Sequence, residues 1–328
     1  MTIRTPYGRR AVEVLGSVPP DEAPPTYYNR PAVKPSDWRW LIITYFFVGG
    51  LAGAAQVIAT VAELFGHRRD RELVGAARYL AVAGALASPV LLVADLKTPS
   101  RWYNMLRIFR GTSPMSIGSW TLLAFGTFSG LAAFGHLLED LFGVRAGRAL
   151  ARLAGVPAAI SGALLATYTG SLLSATSTPL WAAGYRVLPA LFGASATSTA
   201  MAALALMLHR TWAPRASLER IERLSLLASA LELVLSLRFE VTLKQAQVST
   251  PLEEPPLAVP YRGGAFGLGI LLPLAIHFLQ VITHRELRTL SMVASIAALT
   301  GGYAQRAVLV LAGKHSAERP TDYFTMAR

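Results

Sequence analysis

The sequence predicts an all-α polytopic membrane protein with eight transmembrane helices, arranged as two four-helix bundles. Of its 328 residues, 53% are hydrophobic and only 15% are charged, whereas soluble domains carry about 25% charged residues. The mean hydropathy of +0.42 agrees with this imbalance. Eight apolar segments each contain roughly 20 residues or more, which is enough for a helix to cross ~30 Å of hydrocarbon.

The predicted elements follow one another in a simple order. Residues 1–37 hold seven of the 20 prolines and are predicted to form an extended extramembrane arm. The membrane domain is predicted for residues 38–313, and an extramembrane tail for residues 314–328. The eight predicted spans are approximately Trp38–Phe65, Leu73–Ala94, Ile117–Leu138, Ala154–Thr176, Val187–Leu208, Ser217–Leu243, Gly264–Thr283 and Leu290–Ala312.

Small residues inside the spans predict close helix packing. Gly126 and Gly130 are spaced as in a G-x-x-x-G motif, and Gly49, Gly50 and Gly53 form a second group. Such residues let helix backbones approach each other in lipid.

The connections alternate in kind and predict an orientation. Those after the odd-numbered spans are short and rich in arginine, and those after the even-numbered spans are longer and carry Pro, Trp and Tyr. Because short cytoplasmic loops are enriched in Lys and Arg, we predict the arginine-rich side to be cytoplasmic and both termini to be outside. The arginines concerned are Arg68, Arg69, Arg71, Arg145, Arg148, Arg152, Arg210, Arg215, Arg285 and Arg288.

Composition also limits the chemistry of the chain. A net charge of +12 is consistent with nucleic-acid binding, but the basic residues lie in short clusters between apolar runs, so we predict membrane loops instead. The chain has no cysteine, which excludes disulfides, thiolate-bound iron–sulfur clusters and covalently attached c-type haem within it. His136 and His277 leave b-type haem open in principle, although we expect neither haem nor a metal site.

The connection from Asp95 to Trp120 carries the densest mixture of polar, cationic and aromatic groups. It contains Asp95, Arg101, Trp102 and Asn104. One interpretation is an interfacial amphipathic helix, with the aromatic rings in the membrane interface. The other is a binding site for the headgroup of an amphipathic ligand, with a carboxylate nearby to exchange protons. The topology brings Tyr45, Tyr168 and the loop residue Trp181 to the same face.

These stretches resemble the NrfD family, the membrane subunits of polysulfide-reductase-type complexes. The similar pieces are the aromatic run before Gly49-Gly50, D-L-x-x-P-x-R-x-Y-N-M-L…S-P-M-S-x-G-S-W from Asp95, Y-x-G-x-L-L from Tyr168, P-x-W ending at Trp181 and L-P-x-L-F from Leu188. The runs GGAFGLGILLPL and GGYAQRAVLVLAG are similar too. The resemblance covers nearly all of residues 38–313.

The resemblance implies a subunit without haem that binds menaquinone or ubiquinone near the outer surface of the inner membrane. It also implies partners: an iron–sulfur subunit with four ferredoxin-like clusters and a catalytic subunit of the molybdopterin or multihaem cytochrome type. A quinone site needs an apolar slot and hydrogen-bonding groups for the carbonyls. We expect Asp95 to accept protons, with Tyr45, Asn104 and Tyr168 as candidate hydrogen-bond donors. Arg101 and Trp181 complete the predicted site.

The sixth span gives a second signal. Glu222, Ser225, Ser229, Glu232, Ser236 and Glu240 share one helix face. A carboxylate in mid-membrane is costly unless it is paired or neutral, and Arg306 in the eighth span is a candidate partner for an acidic residue. A proton path and a structural ion pair both remain open.

Two other functions remain open as well. In an ion- or proton-coupled transporter, Glu232 and Arg306 would line the transport path, and no redox partner would be needed. A purely structural anchor would bind no quinone, and Asp95→Asn would then have no effect.

Overall fold

The fold is known from a computed structural model, which describes residues 33–67, 70–211, 215–283 and 287–326. Within these ranges the chain forms helices and no strand. Most of the predicted arm, residues 1–32, lies outside the described residues, as do Arg68, Arg69 and Arg285.

Eight long helices coincide with the eight predicted spans. They are α1 (Trp40–Phe65), α2 (Arg71–Ala94), α3 (Pro114–Phe142), α4 (Arg145–Ser174), α5 (Leu188–Thr211), α6 (Arg215–Gln245), α7 (Pro260–Thr283) and α8 (Arg288–Glu318). The first part of α7, Pro260–Leu271, is π-helical. Shorter elements lie in the connections: a 3-10 helix at Pro99–Leu106 and helices at Pro179–Ala183, Thr250–Glu253 and Pro320–Met326.

Seven of these helices are long and apolar enough to cross a membrane: α1 to α5, α7 and α8. The helix α6 is 31 residues long, but it carries charged side chains throughout, including Glu222, Glu232, Arg238 and Glu240. Seven of the eight predicted spans therefore coincide with helices whose length and hydropathy suit a membrane crossing. The crossing by α6 stays a prediction.

The helices pack mainly against their neighbours in the chain. The first four helices contact each other around α1 and α4, and α5 to α8 contact each other around α5 and α8. Contacts of α1 with α5 and α8, and of α4 with α5, join the two groups. The division into two four-helix bundles stays a prediction.

Local sequence explains where α3 begins and ends. Ser113 caps its N-terminus by accepting a hydrogen bond from the backbone N–H of Ser116, and Pro114 occupies the first helical position, where no N–H is needed. Gly143 ends the helix with φ of 65°, a left-handed conformation that favours glycine.

The arginine-rich connections are shorter than predicted. Arg145, Arg148 and Arg152 lie in the first turns of α4 rather than in a loop, and Arg71 and Arg288 begin α2 and α8. Their sequence explains the difference, because the run from Arg145 to Leu153 is rich in Ala, Leu and Arg, which are strong helix formers. We call this end of the helix group the arginine face, and the opposite end, with the α2–α3 connection, the loop face.

Hydrogen bonds and an ion pair link the connections on the loop face to the end of α8. The backbone N–H of Leu180 donates to Ser316 Oγ at 3.2 Å, and Ser316 Oγ donates to Asp322 Oδ2 at 2.8 Å. Arg319 forms an ion pair with Glu254 at 3.0 Å. Helix α8 ends at Glu318, six residues after Ala312, where the predicted span ends. The predicted extramembrane tail is thus partly helical.

Candidate functional site

A cleft of about 400 Å³ lies between α2 and α3, beneath the 3-10 helix of the α2–α3 connection. Its walls are almost entirely apolar. The residues that line it include Leu86, Pro89, Leu92 and Val93 of α2, Trp102, Met105 and Leu106 of the 3-10 helix, and Ser119, Leu122, Leu123, Gly126, Thr127 and Gly130 of α3. Leu86 is 70% exposed, so the cleft opens onto the lipid-facing side of the helices.

Gly126 and Gly130 form part of the wall of this cleft. A Cβ atom added at either position would meet no atom within 4 Å. The prediction that they mediate close helix packing is therefore wrong. In contrast, a Cβ atom on Gly53 would lie 2.2 Å from the carbonyl oxygen of Gly162, which confirms close packing there. Sequence spacing alone does not distinguish a glycine at a helix contact from one that leaves a space.

Asp95 lies at the end of α2, two residues after Val93. It is the C-terminal capping residue of that helix and is half-buried. Burial raises the pKa of its carboxyl group above the ordinary value, while Arg39 and Lys314 oppose the shift and Asp37 adds to it. The cations acting on Asp95 are thus Arg39 and Lys314, which are distant from it in sequence.

The 3-10 helix presents most of its side chains to the outside. Arg101 and Asn104 are exposed, and Trp102 is 47% exposed. Trp102 also lines the cleft. This short amphipathic element takes the place of the interfacial helix that one interpretation predicted. Arg101 and Asn104 are not among the residues that line the cleft.

Tyr45 of α1 and Tyr168 of α4 both belong to the first helix group, and Tyr168 acts electrostatically on Tyr45. Tyr45 is 3% exposed and packs near Ser88 Oγ, since a Cβ atom on Gly49 would lie 3.5 Å from both side chains. The Tyr168 hydroxyl donates to the backbone oxygen of Pro114 at 2.7 Å. Neither tyrosine is among the cleft-lining residues.

Trp181 is fully buried. Its ring stacks on Trp38 with 5.5 Å between centroids, and its indole N–H donates to the backbone oxygen of Leu309 at 2.8 Å. A Cβ atom on Gly313 would lie 2.0 Å from the ring. Trp181 therefore occupies a packing position between the loop face and α8, away from the cleft.

Glu232 and Arg306 meet inside the second helix group. They are 3% and 1% exposed, and the Glu232 carboxyl group is surrounded by Ser195, Ser198, Gln305 and Arg306. Arg306 donates to Ser195 Oγ, to the backbone oxygen of Gly302 at 3.1 Å and to that of Phe192 at 3.3 Å. The opposite charges of Glu232 and Arg306 act on each other, but the two side chains form no direct salt bridge among the described residues. The functional role of the pair stays a prediction.

The polar face of α6 is buried along most of its length. Ser291 Oγ donates to Glu222 near the arginine face, and the amide nitrogen of Gln280 donates to Ser291 at 2.9 Å. Ser198 and Ser229 hydroxyls lie 3.4 Å apart near the middle. The hydroxyls of Ser236 and Ser295 have no partner among the described residues. Polar groups thus follow α6 in separate groups, without a continuous chain of protein hydrogen bonds in the described part of the helices.

The comparison with protein families decides the identity of the chain. The family described as polysulphide reductase, NrfD, matches residues 31–317. The chain belongs to the NrfD family. A comparison with curated proteins finds no match. NrfD membership indicates a membrane subunit of polysulphide reductase-type complexes that associates with other oxidoreductase subunits.

Sequence analysis missed one charged cluster of this NrfD chain. Arg78 is 1% exposed inside α2 and forms an ion pair with Glu63 of α1. Its Nη1 lies 3.1 Å from His136 Nδ1. An arginine within a predicted span is itself a signal, because ionisable groups in a membrane are costly and are kept for pairing or function. The described residues contain no group of three or more His, Asp or Glu side chains placed to hold a metal ion.

Proposed function

We propose that this NrfD chain is the quinone-reactive membrane subunit of its oxidoreductase complex. In this proposal it binds menaquinone or ubiquinone and exchanges electrons with a partner iron–sulfur subunit that carries four ferredoxin-like clusters. A catalytic subunit of the molybdopterin or multihaem cytochrome type completes the complex. The observation that carries the proposal is the apolar cleft between α2 and α3, beside Asp95 and the 3-10 helix.

The cleft suits the shape and polarity of a quinone. Small-molecule sites are typically apolar pockets of about 300–1,000 Å³ with a few polar groups that fix the orientation of the ligand. The α2 and α3 walls offer an apolar surface for the ring and isoprenoid tail, and the opening toward lipid provides an entry route. Arg101 and Asn104 on the 3-10 helix supply hydrogen-bond donors for the carbonyl oxygens.

Tyr45 and Tyr168 have a supporting position in this proposal. Neither lines the cleft, and the hydroxyl proton of Tyr168 is already donated to Pro114. Its oxygen can still accept a hydrogen bond, so Tyr168 can accept from a quinol but cannot donate to a quinone without breaking its present bond. Trp181 contributes packing rather than contact with the quinone.

Asp95 is the proposed proton acceptor. Oxidation of a quinol releases two electrons and two protons, and a general base works best when its pKa is close to the working pH. The raised pKa of Asp95 moves the carboxyl group in this direction. In the reverse reaction the same group would return a proton to the reduced quinone.

The proposed location is the inner membrane, with the arginine face in the cytoplasm. The arginines at the ends of α1 to α4 and of α5 to α8 support this orientation through the positive-inside rule. The loop face, the cleft and both termini would then lie on the outer side, where the partner subunits dock. Glu232, Arg306 and the polar face of α6 would provide a separate route for protons.

The cleft can be tested by filling it. Gly126→Leu and Gly130→Leu place side chains into open space, so the helices should remain packed while the cleft loses volume. Gly263→Leu is the matched control, because Gly263 also has open space around its Cβ position but lies at the start of α7. We expect both cleft variants to weaken binding of a short-tailed quinone to the nanodisc-embedded protein by about tenfold or more, equivalent to ~1.4 kcal/mol.

Unchanged quinone affinity in both cleft variants, with normal folding, would refute the cleft as the binding site. Co-purification in mild detergent with a cysteine-rich iron–sulfur subunit, whose absorption near 400 nm is bleached by quinol, would support the redox role. The transporter alternative draws on the buried Glu232–Arg306 pair. It would be favoured by ion flux in liposomes from the chain alone, together with no quinone bound.

A further inference from the structure

The arginine face carries a second cavity, at the opposite end of α1 to α4 from the cleft. Its volume is about 420 Å³, and the residues that line it include Glu63, Arg71, Arg78, Glu139, Arg148 and Arg152. The glutamates come from the ends of α1 and α3, and the arginines from the beginnings of α2 and α4. Four helix ends therefore bring charged side chains around one space.

Positive charge is in excess around this cavity. Glu63 forms ion pairs with both Arg78 and Arg152, and Glu139 pairs with Arg71 at 3.4 Å and with Arg148. Glu63 and Glu139 are thus each shared by two guanidinium groups. Arg71 also forms an ion pair with Asp140 at 2.7 Å, so four arginines face three carboxylates. The cavity has the electrostatics of an anion site that its own carboxylates only partly neutralise.

Arg78 provides the buried part of the site. Its guanidinium contacts Glu63, His136 and the backbone oxygen of Ala151, yet its Nε–H has no hydrogen-bond partner among the described residues. Buried donors in folded proteins are nearly always satisfied. An arginine also presents its donors in a planar arrangement that matches phosphate oxygens. Arg78 lines the cavity, and the planar arrangement of its guanidinium donors favours a phosphate ligand over a simple monovalent anion.

The surroundings of the cavity favour a lipid. Large apolar side chains near the same helix ends are exposed by half or more, namely Leu64, Phe65, Leu141, Phe142 and Leu153. A phospholipid with its phosphate in the cavity can lay its acyl chains against these side chains. Free phosphate would leave them uncovered. Arginine-lined pockets at the cytoplasmic ends of membrane helices have the charge expected for anionic headgroups.

We propose that the arginine-face cavity binds the phosphate of an anionic phospholipid, with Arg78, Arg148 and Arg152 as its principal cationic contacts. The site is separate from the quinone cleft and does not depend on the proposed redox function. Its occupation would join the ends of α1 to α4 and would neutralise the excess charge left by the shared glutamates.

The test uses the full chain in detergent, with phosphatidylglycerol as the anionic probe and phosphatidylcholine as the neutral one. Native mass spectrometry would measure the retained lipid, and inorganic phosphate would be tested separately by thermal stability. The double variant Arg148→Gln/Arg152→Gln removes two cations whose side chains are 53% and 58% exposed, so folding should survive. Arg210→Gln/Arg223→Gln is the control, because both residues are exposed on the arginine face and lie outside the cavity lining.

We expect the native chain and the control to retain phosphatidylglycerol in preference to phosphatidylcholine. The cavity variant should bind phosphatidylglycerol about tenfold more weakly, since hydrogen bonds to charged groups are lost. If the double variant is not folded, the single variant Arg152→Gln should show a smaller loss in the same direction. Equal lipid retention in the cavity variant and the control would overturn the proposal. Stabilisation by inorganic phosphate equal to that by the lipid would overturn the lipid assignment.

Discussion

Glu232 and Arg306 allow a sharp test of what their buried pair does. Breaking such a pair by removing one partner typically costs ~3–5 kcal/mol, whereas replacing both partners with apolar or neutral groups is often close to neutral. We therefore expect Glu232→Gln to destabilise the protein by ~3 kcal/mol, because the Arg306 guanidinium stays charged and buried. Its remaining acceptors are neutral and offset only part of the lost attraction; they are Ser195, Gly302, Gln305 and Phe192.

The double variant Glu232→Gln/Arg306→Met completes a double-mutant cycle for this pair. It should recover most of the lost stability and lie within ~1 kcal/mol of the native chain, because no unpaired buried charge remains. Unfolding in mixed detergent micelles, compared across the native chain, both single variants and the double variant, gives the coupling energy. Single-variant effects that simply add in the double variant would refute the inferred interaction.

The same variants separate a structural pair from a proton path. If the pair is structural, the double variant should restore both stability and quinol-linked electron transfer in the assembled complex. If Glu232 carries protons, the double variant should be stable while proton delivery stays impaired. Proton release by the complex in liposomes would measure the difference.

Two further outcomes follow from the loop face. Asp95 must be deprotonated to accept a proton, so the rate of quinol oxidation by the complex should increase as pH rises through the raised pKa of Asp95. The variant Asp95→Asn should lower the rate and remove this pH dependence. An unchanged pH profile in the variant would exclude Asp95 as the base. Trp181→Phe should cost ~1 kcal/mol of stability by removing the hydrogen bond to Leu309 without weakening quinone binding. Weaker quinone binding at unchanged thermal stability would show that Trp181 belongs to the quinone-binding site.

The helices were predictable from sequence because long apolar runs have few alternatives in a membrane. Each predicted span corresponds to a long helix, and most differences lie at the ends, as at Arg145, where the helix continues beyond the apolar run. The polar side chains of α6 explain why it is not among the helices that are apolar enough to cross a membrane. Glu222 and Glu232 are buried inside the helix group, and a hydropathy average counts such residues as though they faced lipid.

The candidate site was only partly predictable, because it depends on contacts between distant residues. The sequence identified Asp95 and the 3-10 segment, yet the cations near Asp95 come from Arg39 and Lys314 at other helix ends. Spacing suggested packing for Gly126, although the neighbouring helix leaves space there. Trp181 was predicted to bind a ligand on the basis of its loop position, but stacking on Trp38 buries it.

The hydrogen bond between Leu180 and Ser316 joins residues 136 positions apart, and this separation bears on how the protein is made. During synthesis the Pro179–Ala183 helix is translated long before α8 leaves the ribosome. The loop face is therefore incomplete until Ser316 and Asp322 have been translated and α8 has been inserted into the membrane. A partner that recognises the finished surface would bind only chains inserted to that point, so this contact can act as a checkpoint on the order of assembly.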